Sequence, residues 1–116
     1  MGLLRWFTKN WANTTDPTHS DLNPLRLPGS HSEAIKRLVA VVGTLPRWSV
    51  VASDPEAGTA HLNHTTRAFK FVDDIYLVCS EEGAGTRVDA ESRSRVGKGD
   101  LGQNRRNILE LWKAVR

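Results

Sequence analysis

The chain has 116 residues, of which 39% are hydrophobic and 25% are charged, and its formal net charge at pH 7 is +3. These values are typical of one soluble globular domain, and no run approaches the ~20 apolar residues that a membrane-spanning helix needs. Because Cys79 is the one cysteine, an intrachain disulfide is excluded, and we interpret Cys79 as a small buried hydrophobe. Without an apolar signal-peptide core, we expect a cytoplasmic protein, with peripheral membrane attachment as the alternative.

The first twelve residues, MGLLRWFTKNWA, form an apolar and basic segment. If the segment is helical, Leu4, Phe7 and Trp11 share one amphipathic stripe. A short basic segment with tryptophans can lie at a lipid interface or pack onto protein. We therefore predict contact with a partner protein, an anionic membrane surface or the core of this chain, made by Leu3, Leu4, Trp6, Phe7 and Trp11.

Residues 13–31 contain three prolines among polar, turn-forming residues, which predicts an extended connector. Residues 32–116 then read as a single α+β domain. A first helix is predicted over 32–45, with Ser30 or Ser32 as its N-cap and Pro46 preventing its continuation. Its apolar residues follow helical spacing: Ile35, Leu38, Val39, Val42 and Leu45.

Four strands are predicted over 48–53, 59–71, 74–81 and 86–96. The fourth alternates small or apolar residues with charged ones, which indicates a sheet with one covered face and one wet face. A last helix is predicted over 101–115, with Asp100 and Gln103 forming a capping box. The expected fold is therefore α+β: a helix, four consecutive antiparallel strands and a helix, with both helices covering one face.

Two stretches, TTRAFKFVDD and TRVDAESRSRVGKGDLGQNRRNI, resemble the domain-of-unknown-function family 1499. The resemblance runs from about residue 18 to the end and is densest over 65–108. It implies neither an activity nor a cofactor. Many members carry Cys-Pro and Ser-Pro-Asn-Cys-Val signatures near the N-terminus, and this chain lacks both, so no function tied to those cysteines is expected here.

The stretch SRSRVGKGDLGQNRR, over residues 92–106, allows two interpretations. Basic residues around a helix N-terminus can hold a small anion. Alternatively, Gly97 and Gly99 only permit a tight turn, Asp100 occupies the N-cap, and Arg93 and Arg95 pair with carboxylates across the sheet. We favour the second interpretation and keep as anion-binding candidates Arg67, Arg93, Arg95, Lys98 and Arg105.

Asp73 and Asp74 are adjacent in a predicted strand, so their side chains should point to opposite faces and cannot share a metal or catalytic site. We expect them to belong to a structural ion network with arginines. His61 and His64, three residues apart, should also lie on opposite faces, which argues against a shared zinc ion. No motif identifies a catalytic set, a metal site or a cofactor.

Nucleic acid is an improbable partner, because aromatic side chains are not interleaved with the basic residues of the last third. We therefore expect a non-enzymatic binding or accessory domain that engages a partner protein or a membrane through residues 1–12. The alternative is a small-molecule anion-binding domain, with or without catalysis, built on the arginine and lysine candidates near the glycine turn.

Overall fold

The computed structural model describes residues 11–15, 22–67, 70–95 and 102–116. They form a mixed α/β fold in which an antiparallel sheet carries two helices. In chain order the elements are β1 (Trp11–Asn13), β2 (Leu25–Pro28), α1 (His31–Val42), β3 (Trp48–Asp54), β4 (Thr59–Thr65), β5 (Val72–Glu82), β6 (Gly85–Ser94) and α2 (Gln103–Val115). The α+β class is confirmed, but the predicted order is corrected because two strands precede α1.

The sheet has six strands in the order β1-β6-β5-β4-β3, and β2 also pairs with β6. Every pairing is antiparallel. β1 and β2 lie end to end along one edge of β6, with Ala12 opposite Ser92 and Leu27 opposite Thr86. Strands of three and four residues are too short to show alternation, so the sequence indicated an amphipathic segment and a connector instead.

The strand boundaries also differ from the prediction at one turn. The predicted strand over 59–71 ends at Thr65. Thr66 and Phe71 then close a turn, in which the backbone nitrogen of Thr66 donates to the carbonyl of Phe71 at 2.8 Å and the backbone nitrogen of Phe71 donates to Thr66 Oγ1 at 2.9 Å. The last predicted strand ends at Ser94, and Val96 lies outside the described residues.

Helix α1 begins as the sequence predicts, because the hydroxyl of Ser30 accepts a hydrogen bond from the backbone nitrogen of Glu33 at 3.2 Å. It ends at Val42, three residues before the predicted end. After the C-cap residue Gly43, the backbone nitrogens of Thr44 and Leu45 donate to carbonyls only three residues back, which tightens the chain into a turn.

Helix α2 begins at Gln103, not at residue 101, so the predicted capping box is wrong. Gly102 is the N-cap, and its φ is 84°. A left-handed glycine lets the chain enter the helix without side-chain strain. Gln103 Nε2 instead donates to Asn107 Oδ1 at 2.8 Å, inside the helix. Asp100 lies outside the described residues.

The core lies between the two helices and one face of the sheet. The inward positions of the central strands are mainly apolar, and they include Leu62, Ile75, Leu77 and Val88. Cys79 belongs to the same core, and its burial raises the pKa of the thiol to about 11, which confirms a buried hydrophobe. The outer face is open. Within the described residues, neither helix is long and apolar enough to cross a membrane.

Candidate functional site

One end of the inner sheet face is polar. At this end, polar side chains of β4, β5, β6 and α2 occupy buried positions. On the strands these are the inward-facing positions of the alternating pattern, and on α2 they belong to the stripe that faces the core. None of these residues is more than 4% exposed. Buried polar groups reduce stability unless they are paired, so this group needs its own explanation. The residues of this buried polar cluster are His64, Asp73, Ser92, Asn104 and Asn107.

Hydrogen bonds connect most of the buried polar cluster. Asn107 Nδ2 donates to Asp73 Oδ2 at 2.8 Å and to Ser92 Oγ at 3.3 Å. Ser92 Oγ donates to Asn104 Oδ1 at 2.6 Å, and Asn104 Nδ2 donates to Ser94 Oγ at 2.8 Å. Helix α2 is thereby held to β5 and β6 by directional contacts, which fix the position of the Asp73 carboxylate.

His64 is the exception in the cluster. Its Nδ1 lies 3.9 Å from Asp73 Oδ2 and its Nε2 lies 3.8 Å from Glu110 Oε1, and both distances exceed hydrogen-bond length. Among the described residues, His64 Nδ1 is the one buried side-chain nitrogen or oxygen without a hydrogen-bond partner. Trp48 contacts the edge of the His64 ring, with ring centroids 5.1 Å apart, and donates from Nε1 to Glu110 at 2.9 Å.

A cleft of about 520 Å³ lies between α2 and the loops next to β3 and β4, and His64 is part of its lining. The lining also contains four cations and one carboxylate, so its net charge is +3 with His64 neutral. Such a charge in a concave surface concentrates anions. We call it the cationic cleft; its charged residues are Arg47, Arg67, Arg106, Glu110 and Lys113.

Three cations of the cleft differ in their pairing from the arginines on or next to the strands. Within the described part of the chain, Arg47, Arg67 and Lys113 have no carboxylate at ion-pair distance, and Arg106 donates to Gln103 Oε1 at 3.1 Å. The arginines on the strands, and Arg95 directly after β6, are paired: Arg26 with Glu82, Arg87 with Asp89, Arg93 with Glu91 and Arg95 with Asp74. Among the described residues, the cleft therefore brings together three cations that have no carboxylate partner, Arg47, Arg67 and Lys113.

Arg47 also has an unusual backbone conformation. Its φ is 70°, a left-handed value that only Arg47 and Lys70 adopt among the described non-glycine residues. Its carbonyl accepts a hydrogen bond from the backbone nitrogen of Thr65 at 2.9 Å, which joins the loop before β3 to the end of β4. Left-handed backbone costs a residue with a side chain about 1 kcal/mol and often occurs at functional sites.

The candidate anion-binding residues do not lie together. Arg67 lines the cationic cleft, whereas Arg93 and Arg95 lie on the opposite, outer face of the sheet. Arg105 is half-buried on α2 and is not part of the cleft lining. Lys98 lies outside the described residues, as do the candidate contact residues Leu3, Leu4, Trp6 and Phe7; of Trp11, only the backbone, in β1, is described.

Asp73 and Asp74 point to opposite faces. Asp73 is 1% exposed in the buried polar cluster. Asp74, on the outer face, accepts two hydrogen bonds from Arg95, at 2.7 and 2.9 Å, and is 2.7 Å from His61 Nε2. The Arg95 hydrogen bonds hold the pKa of Asp74 below its ordinary value of 3.8, with a smaller contribution from His61 and against an opposing effect of burial.

His61 and His64 also lie on opposite faces, as the strand periodicity predicts. Among the described residues, no three His, Cys, Asp or Glu side chains are grouped as metal ligands. The outer face has two smaller depressions of about 330 and 300 Å³, and Tyr76 and Val78 line both. Asp89 and Glu91, which line the smaller depression, are paired with arginines, and Asp54, which lines the larger one, accepts a hydrogen bond from the backbone nitrogen of Ala57 at 3.1 Å. Neither depression has a lysine or an arginine in its described lining, unlike the cationic cleft.

Sequence reasoning did not group the residues of the cleft. The sequence did contain a signal for the buried polar cluster next to the cleft. His64 continues the inward alternation of Ala60 and Leu62, and Asn107 continues the helical stripe of Ile108 and Leu111. A polar residue at a core position of a periodic element is such a signal. Arg47 and Lys113 carried no signal, because they are distant in sequence and only the tertiary structure places both in the cleft lining.

The fold and the site define an α+β domain with one open sheet face and a cationic cleft at one end of its core. The family model described as "Protein of unknown function (DUF1499)" matches residues 7–115. The chain belongs to this family. No curated protein matches the sequence. The crystal structure of TTHA0849 from Thermus thermophilus is similar to this chain at 14% sequence identity and a TM-score of 0.43, covering 91% of this chain and 95% of that chain.

Proposed function

We propose that this protein binds a small anion in the cationic cleft. The observation that carries the proposal is that Arg47, Arg67 and Lys113, which have no carboxylate partner among the described residues, line a cleft that also contains the unpartnered Nδ1 of His64. Charges left without a partner repel one another, and a bound anion would relieve that repulsion. Of the anion-binding candidates predicted from the sequence, the proposal keeps Arg67. In place of Arg93 and Arg95 it uses Lys113 of α2 and Arg47, which precedes β3.

The buried polar cluster supports this proposal as the floor of the site. Asp73 is fixed by Asn107 at 2.8 Å and faces His64 Nδ1 at 3.9 Å. A shift of the His64 ring by about 1 Å would form the Nδ1 to Asp73 hydrogen bond, since such bonds have lengths of about 2.9 Å. With Nδ1 donating to Asp73, Nε2 would donate to a bound anion only in the form of the ring in which both nitrogens carry hydrogen. The proposal thus accounts for a buried nitrogen that folding leaves unpartnered.

A titration monitored by two-dimensional NMR tests the proposal. Citrate and inorganic phosphate are added separately at low ionic strength, and shifts of the backbone amides of Arg47, Thr66 and Gln103 report on the cleft. Replacing Arg67 with Gln removes one cation while keeping a polar side chain. We expect the affinity of the better-bound anion to fall roughly tenfold, because a charge-assisted hydrogen bond contributes about 1.5 kcal/mol or more.

Lys36→Gln is the matched control. Lys36 is exposed on α1 and is not part of the cleft lining, so its replacement changes net charge by the same amount. Equal losses in the Arg67 and Lys36 variants would indicate nonspecific attraction and contradict the proposal. Shifts that avoid the cleft amides would contradict it as well.

The predicted engagement of a partner protein or membrane by residues 1–12 rests on the sequence, since Leu3, Leu4, Trp6 and Phe7 lie outside the described residues. It is tested by co-sedimentation with anionic liposomes, using the full chain and a variant that lacks residues 1–10 and keeps β1. Loss of liposome binding on deletion would support the membrane form. Unchanged binding would contradict it.

A further inference from the structure

Two of the four cations of the cleft lie on α2, and their spacing along the helix bears on the shape of the ligand. Arg106 and Lys113 are seven residues apart on the cleft side of α2. Seven residues are about two helical turns, so the two residues lie about 10 Å apart along the helix axis. Leu109 and Glu110 lie between them and are also part of the lining.

The opposite wall supplies a second pair of cations. Arg47 precedes β3 and Arg67 follows β4, and the backbone bond between Arg47 and Thr65 holds these two loops side by side. The cleft volume of about 520 Å³ is within the range for small organic ligands, and it is many times the share of one water molecule, about 30 Å³. An inorganic ion would leave most of this space empty.

A compact anion at the centre of the cleft would meet the Glu110 carboxylate. Trp48 Nε1 fixes this carboxylate at 2.9 Å, between the positions of Arg106 and Lys113 along the helix. A negative charge placed beside a fixed carboxylate is repelled. The favourable positions for negative charge are therefore the two ends of the cleft, and the middle, beside Leu109, favours an uncharged group.

From this arrangement we propose that the ligand is a small organic molecule with two anionic groups about 10 Å apart, joined by an uncharged linker. One anionic group binds near Arg106 and the other near Lys113, while the linker passes Leu109. This inference rests on the proposed anion-binding function and specifies the class of ligand that the same cleft takes.

The test is a titration of the full chain with α,ω-dicarboxylates of increasing chain length, from succinate to dodecanedioate. Monocarboxylates of the same lengths measure the apolar contribution of the linker, and inorganic phosphate represents a compact anion. We expect affinity to pass through a maximum where the two carboxylates span about 10 Å. At that length the dicarboxylate should bind at least tenfold tighter than succinate and than its matched monocarboxylate. α,ω-Bisphosphonates of the same lengths show whether carboxylate or phosphonate is the preferred group.

The Lys113→Gln variant tests the assignment of the second group. In this variant the preferred dicarboxylate should bind no tighter than the matched monocarboxylate, whereas Lys36→Gln should retain the maximum. An affinity that is independent of length, or greatest for succinate or phosphate, would overturn the inference. If such binding still depends on Arg67, the proposed function stands. If no anion shifts the amide signals of the cleft, both this inference and the proposed function are contradicted.

Discussion

The two ends of the inner sheet face differ in chemistry although the same strands build both. Along β5, Ile75 and Leu77 pack against the helices, while Asp73, one alternation before them, lies in a hydrogen-bonded polar group. Along β6, Val88 and Ala90 are followed by Ser92 in the same way. Both ends are equally buried, so burial alone does not distinguish them.

This difference separates what stabilises the fold from what forms the site. Apolar burial contributes directly to stability, whereas a buried hydrogen bond contributes about 1 kcal/mol net, because folding exchanges it for bonds to water. Filling the core with hydrogen-bonded polar groups, as at the polar end, therefore stabilises the fold less than filling it with apolar groups. The polar end also contains His64 Nδ1, which is buried without a hydrogen-bond partner, and it adjoins the cationic cleft. We infer that the apolar end maintains the fold and that the polar end serves binding.

The largest expected effect is at the apolar end. Ile75 is fully buried, and Ile75→Ala removes three carbons and leaves a cavity. The free energy of unfolding should fall by about 3 kcal/mol. Urea denaturation measures the loss, and anion affinity of the remaining folded protein should not change. A loss under about 1 kcal/mol would show that this end is not the tightly packed one.

The next effect is at the polar end. Asn107→Ala leaves the Asp73 carboxylate without its 2.8 Å hydrogen bond, so we expect a loss of about 2 kcal/mol. Replacing Asp73 and Asn107 together with Leu should lose less than Asn107→Ala, because apolar groups of similar shape need no partners. The same urea experiment compares the two. A double variant less stable than the single one would show that the polar end stabilises the fold.

The sequence predicted the apolar end better than the polar end, for a physical reason. Periodicity is a property of neighbouring residues, and it correctly identified α1, its Ser30 cap and the alternating strands. The end of the strand at Thr65 depends on a turn closed by Thr66 and Phe71, and the short β1 and β2 exist only because β6 offers them an edge. Such features depend on tertiary contacts that a local pattern does not contain.

The site illustrates the same limit. Arg93 and Arg95 are close to each other in sequence, yet each is paired on the outer face with a carboxylate. Arg47 and Lys113 are distant in sequence, yet they line one cleft. Charge clustering along the chain therefore indicated an ion network, whereas the cations of the cleft are brought together by the tertiary structure.

A smaller effect distinguishes the backbone strain at Arg47, which affects stability, from its charge, which affects anion binding. Arg47→Gly and Lys70→Gly each relieve a left-handed φ, of 70° and 58°. The relief exceeds the entropy that glycine adds to the unfolded chain, so each variant should gain up to about 1 kcal/mol in thermal unfolding. Only Arg47→Gly should weaken anion binding, because Lys70 is not part of the cleft lining. Equal affinities in the two variants would contradict a role for Arg47 in the cleft.

The smallest effect concerns the outer face and its dependence on pH. Because Arg95 holds the pKa of Asp74 below 3.8, the pair contributes stability above that pH and loses the contribution as pH falls through the lowered pKa. Arg95 is half exposed, so solvent screens the pair and its contribution is small. Arg95→Gln should be less stable than the wild type at about pH 6, and the difference should disappear as the pH falls below the lowered pKa of Asp74. A difference that persists in acid would exclude this ion pair as its cause.

The most direct measurement compares stability and binding in His64→Phe. Phenylalanine keeps a ring against Trp48 and removes the unpartnered buried Nδ1. If the polar end serves binding, the variant should be as stable as the wild type or more stable by about 1 kcal/mol, and its affinity for the cleft anion should fall at least tenfold. A destabilised variant that binds the anion with unchanged affinity would contradict the account.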